Sequence, residues 1–80
     1  MNVDEAFGKA LKHLREQKGL SQEELAFESG LHRTYVSLIE RGKRSPSLRT
    51  IDKIAAALGT RLSLLLKELD AYRGRKNAPR

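Results

Sequence analysis

The sequence predicts an all-α domain of five helices. Three observations carry that prediction. Apolar residues recur every three or four positions in separate stretches, capping residues or glycines mark the ends of those stretches, and no segment alternates apolar and polar residues as a strand would. Eighty residues suffice for one modest core, and much apolar surface of so small a chain stays in water. With no internal repeat or linker, residues 1–72 read as a single domain and 73–80, "RGRKNAPR", as a flexible basic tail without apolar periodicity.

The first helix covers about residues 3–18, where Val3, Phe7, Ala10, Leu11 and Leu14 fall on one side and Gly19 can close the end. Ser21 and Glu24 have the spacing of a capping box, which starts the second helix, and Leu20 with Leu25 can form the hydrophobic staple beside it. That helix stops near Ser29, because Gly30 tolerates the positive φ of a tight turn. The third spans about 33–41. At 100° per residue, Arg33, Ser37, Arg41, Thr34 and Leu38 occupy the arc from zero to about 140°, whereas Tyr35, Ile39 and Val36 lie between about 200° and 300°. One side is core and the other a mostly polar surface. Ser47 can cap a fourth helix whose stripe is Leu48, Ile51, Ile54, Ala55 and Leu58, closed by Gly59. A fifth, about 63–72, aligns Leu62, Leu65, Leu66, Leu69 and Tyr72, and leaves Leu64 pointing away from them.

Sixteen lysines and arginines against ten acids give a net charge of +6, and the excess is clustered. Arg41, Lys43, Arg44 and Arg49 lie in a run without an acid, as do Arg73, Arg75, Lys76 and Arg80, so a polyanion is the natural partner. Simple solubilisation of a small domain is the plainer reading of such clusters. The sequence has no cysteine, and His13 and His32 are too far apart for a local ligand pair, so no metal or other cofactor is expected. No basic-then-apolar leader or membrane-length apolar run is visible, and the chain is expected in the cytoplasm without a membrane partner. No catalytic constellation can be assembled; His13 sits among polar neighbours and reads as solvated. Neither enzymatic activity nor a small-molecule substrate is expected.

Helix, three-residue turn with glycine, helix is the helix-turn-helix arrangement, whose second helix enters the major groove of double-stranded DNA while the first crosses the backbone. Arg33 is then the leading base reader, because its guanidinium can donate a fork to guanine O6 and N7; phosphate contact and plain solvation are its other readings. Thr34 and Ser37 are secondary readers, and Leu38 is either a thymine-methyl contact or a partly buried flank. Gln22, at the amino end of the second helix, is placed to anchor a phosphate alongside backbone amides. Arg49 can join from the fourth helix, where the dipole gives a cation no advantage. One such unit reads few base pairs, so a homodimer on two half-sites about one DNA turn apart is expected. The fifth helix is the expected interface, with Leu64, Leu65 and Leu69 as candidates; an isolated exposed leucine is the plainer reading of Leu64.

Residues 9–66 resemble a Cro/phage-repressor-type (Xre-like) helix-turn-helix domain through "LSQEELA", "SGL", "YVSLIERGKRSPSL" and "IAAALG". Ser29 stands where that family favours a small apolar residue, and His32 where a stronger N-cap is usual. The resemblance implies the compact five-helix lambda-repressor-like fold and a regulator of either phage-repressor or restriction-modification-controller type. It also implies that Tyr35, Arg41, Lys43 and Arg44 grip phosphates, and that Arg15 pairs with Glu40 to set the tilt of the reading helix. The competing reading is a protein-interaction module of antitoxin or antirepressor type on the same fold. Acids in place of the basic loop would favour it, and this loop is basic. RNA is disfavoured, because the narrow major groove of an RNA duplex does not admit a reading helix.

Overall fold

The computed structural model describes residues 1–74. It contains α1 (Val3–Gln17), α2 (Gln22–Ser29), α3 (Arg33–Glu40), α4 (Leu48–Ala57) and α5 (Leu62–Arg73), and no strand among the described residues. Each expected helix is present. Their ends are set by local hydrogen bonds. The Ser21–Glu24 box closes in both directions, with Ser21 Oγ accepting from the Glu24 amide at 3.0 Å and Glu24 Oε1 accepting from the Ser21 amide at 2.8 Å. A second box, overlooked in the sequence, joins Asn2 and Glu5 at the start of α1, at 2.8 and 3.1 Å. Gly30 adopts φ 72°, and the Leu31 amide donates to the Ala26 carbonyl at 2.8 Å, which ends α2 and swings the chain into α3. His32 supplies no side-chain cap.

Packing follows the apolar stripes. α1 packs against α3 and α5, α2 against α3 and α4, and α4 against α5. Leu11, Leu25, Val36, Ile39, Ile54 and Leu65, drawn from all five helices, are the largest fully buried side chains. At about 1.5–3 kcal/mol per fully buried aliphatic side chain, these six supply much of what holds the helices together. Gly8 fixes how closely α1 approaches α3. A Cβ there would stand 2.5 Å from the carbonyl oxygens of both Ile39 and Glu40, inside van der Waals contact, so only a hydrogen fits. Ser29, buried in α2, returns its hydroxyl to the Leu25 carbonyl at 2.7 Å, which satisfies the polar group that the family pattern does not favour.

Four sequence expectations need correction. Leu48 is 67% exposed, because it is the first residue of α4 and extends past the elements that cover the rest of the stripe. Val3 stands out of the core for the same reason at the start of α1. On α5 the buried residues are Leu65 and Leu69, while Leu66 and Tyr72 are exposed, so the buried arc is narrower than five aligned side chains suggested. The last turn of α5 also takes in Arg73, with Gly74 as its left-handed cap at φ 78°. The remainder of the expected tail, with Arg75, Lys76 and Arg80, lies outside the described residues.

Candidate nucleic-acid interface

The α2–α3 unit presents one continuous polar surface. Gln22, in the first turn of α2, and Arg33, Thr34 and Ser37, along α3, line a common shallow depression of about 210 Å3. Helical geometry puts the three α3 residues on one arc, and the Gly30 turn brings the amino end of α2 beside them. Arg33 and Thr34 are exposed and Ser37 is half-buried. Arg41 follows at the carboxyl end of the same arc, also exposed. Leu38 is half-buried at the edge of the arc and does not line the depression.

Lys43 and Arg44 project into solvent from the loop between α3 and α4, and Arg49 does so from the first turn of α4. Tyr35 packs its ring against the core, and the Arg44 guanidinium lies 5.9 Å from the ring centroid, which holds the two expected phosphate ligands together. Among the described residues, none of Arg33, Arg41, Lys43, Arg44 and Arg49 forms an ion pair. Their charges therefore remain available to an external anion.

Beneath this surface lies a buried ion pair. Arg15 Nε donates to Glu40 Oε2 at 2.6 Å and Arg15 Nη2 donates to Glu40 Oε1 at 3.0 Å, a bidentate fork joining the end of α1 to the end of α3. Arg15 Nη1 donates to the Leu20 carbonyl at 2.7 Å. Gln22 Nε2 donates to Glu40 Oε1 at 3.0 Å, a contact that no spacing rule foretold. The hydrogen bond that Arg15 donates to Glu40 raises the pKa of its guanidinium above the ordinary value, against the opposing effect of burial. No buried side-chain nitrogen or oxygen among the described residues lacks a partner. One N–H of the Gln22 amide is thus held inward, and its second N–H and the backbone amides of Gln22 and Glu23 are what the amino end of α2 can offer an anion.

The expected interface on α5 is only partly available. Leu65 is 0% and Leu69 8% exposed, so both are taken up by the core of a single chain and leave a partner little surface to touch. Leu64 at 40% and Leu66 at 39% remain open to solvent on either side of Leu65. No cluster of three metal-ligating side chains occurs among the described residues, and none of their helices is long and apolar enough to cross a membrane.

With the two-helix unit, its turn and its exposed basic arc in place, a family model described as helix-turn-helix matches residues 11–65. The chain belongs to the helix-turn-helix family. This helix-turn-helix protein is 50% identical over 66 residues to the control protein C.BamHI of Bacillus amyloliquefaciens, covering 81% of this chain and 82% of that one. The crystal structure of the restriction-modification controller protein C.AhdI from Aeromonas hydrophila superposes with a TM-score of 0.75 at 52% identity, covering 76% of this chain and 92% of that one. The controller protein C.Esp1396I, seen as a tetramer in complex with its natural 35 base-pair operator, superposes with a TM-score of 0.76 at 32% identity, covering 86% of this chain and 96% of that one. The Xre-like resemblance and the all-α fold read from the sequence are both in accord with these relatives.

Proposed function

We propose that this helix-turn-helix protein is a sequence-specific DNA-binding transcriptional regulator, acting in the cytoplasm as a homodimer on a two-fold operator with α3 in the major groove. The observation that carries the reading is the exposed Arg33 at the amino end of α3, which forms no ion pair among the described residues and shares one depression with Gln22, Thr34 and Ser37. In that placement Arg33 forks to guanine, Thr34 and Ser37 meet neighbouring base edges, and Leu38 lies where a thymine methyl can touch it. The amino end of α2, Tyr35, Arg41, Lys43, Arg44 and Arg49 grip the flanking phosphates, which set register without reading sequence. The similarity to control proteins, one of them crystallised on its operator, supports the controller type. Leu64 is the part of the expected α5 interface left to a second copy, and dimerisation lets the protein's own concentration set occupancy.

Selection of bound duplexes from a random pool tests this reading. The expected result is enrichment of an inverted repeat with half-sites about one helical turn, or a multiple of it, apart. One observation favours the interaction-module alternative: Phe27 of α2 is 84% exposed beside Glu23, Glu24 and Glu28. A pool in which no sequence is enriched, even at low salt, would leave that alternative standing and remove the DNA-reading account.

A further inference from the structure

The reading arc does not stop at the end of α3. Arg41 also lines a cleft of about 550 Å3 between α1 and the carboxyl end of α3, whose other walls include Glu5, Lys9, Lys12 and Glu40. Lys9 and Lys12 are three residues apart on α1, on one helical face, and both are exposed. Close backbone packing sets the position of that face relative to Arg41. Gly8 brings the α1 backbone against the Ile39 and Glu40 carbonyls, and Gly42, at φ 73°, lies so close that a Cβ there would stand 3.0 Å from Glu5 Cα.

The side chains lining the cleft include two carboxylates and three cations, and only the carboxylates are already engaged. Glu40 accepts from Arg15 and Gln22, and Glu5 accepts from the Asn2 amide at 3.1 Å as part of the α1 cap. Lys9, Lys12 and Arg41 make no ion pair among the described residues. Three unneutralised cations converge on one cleft that continues the DNA-facing arc.

We propose that the DNA contact extends onto α1, with Lys9 and Lys12 joining Arg41 to bind backbone phosphates beyond the carboxyl end of the reading helix. This inference rests on the DNA-binding reading above and adds a contact outside the helix-turn-helix unit. The ligand is phosphodiester, so the two lysines contribute affinity and orientation without base preference.

The test compares full-length wild type, Lys9→Gln/Lys12→Gln, and a charge-matched control, Lys53→Gln/Lys67→Gln, on a 30 base-pair mixed-sequence duplex across a range of salt concentrations. All four lysines are exposed on helices, so the helical circular dichroism of both variants should match wild type. Each phosphate neutralised contributes roughly 0.9 to the slope of log K against log salt, so the α1 variant should lose about 2 from that slope for each protomer bound, or about 4 for a dimer. The control should keep the wild-type slope. An α1 variant with an unchanged slope, or equal losses in the two variants, overturns the inference while leaving the DNA-binding reading intact. Wild type that binds no duplex at any salt overturns both.

Discussion

Glu40 accepts three hydrogen bonds, two from Arg15 and one from Gln22, and so links α1, α2 and α3 through one carboxylate. An ion pair this deeply buried adds little net stability over an apolar pair, but removal of one partner strands the other charge. Arg15→Ala or Glu40→Ala alone should each cost about 3–5 kcal/mol of unfolding free energy, with the double variant well short of the sum. Chemical denaturation of the four proteins measures this, and strictly additive losses would contradict the pairing. The Arg15–Glu40 pair was legible because the family pattern supplies both residues. The Gln22 contribution was not, because a glutamine at a helix start can face a phosphate or a buried acid and spacing does not choose between them. Arg33, Thr34 and Ser37 needed only the helical angle, and the structure places them around one depression.

The helices were readable where a terminus carries its own chemistry. Ser21, Glu24, Gly30 and Ser47 mark boundaries through side-chain and backbone geometry that acts within a few residues, and those boundaries stand as expected. Stripe membership was less secure, since it depends on what packs opposite. "LSLLL" offers leucine on several faces of α5 at once, and the neighbouring helices decide that Leu65 and Leu69 go inside while Leu64 and Leu66 do not. The α1–α3 contact at Gly8 is invisible to periodicity, because glycine in a helix reads merely as a weak helix former. Two substitutions separate packing from backbone strain. Gly30→Ala meets no atom within 4 Å and should cost about 1–2 kcal/mol, for the left-handed φ alone. Gly8→Ala must push α1 off the Ile39 and Glu40 carbonyls, and should cost at least about 2 kcal/mol, in the range of overpacked cores or beyond. Thermal unfolding in which Gly8→Ala proves the milder change would contradict the close approach.

At the scale of the whole molecule, the small core and the net charge of +6 have one joint consequence. Among the described residues the basic surface offered to a polyanion forms no ion pair, and Leu64 of α5 is exposed. Fold class followed from periodicity and capping residues, whereas the division of α5 between core and solvent required the packed molecule. Leu64→Glu should sediment as a monomer under conditions where wild type is a dimer. Leu69→Ala should instead lose about 2–5 kcal/mol of stability as a core truncation. A Leu64→Glu protein that remains dimeric would rule out this face. The central claim, that an arginine at the tip of α3 reads a base, is tested most directly by titrating wild type and Arg33→Ala against the selected duplex and a scrambled one of equal length. The account predicts a loss of about 1–3 kcal/mol on the selected duplex, with much less change on the scrambled one. Equal losses on the two duplexes would make Arg33 a phosphate ligand and contradict the claim.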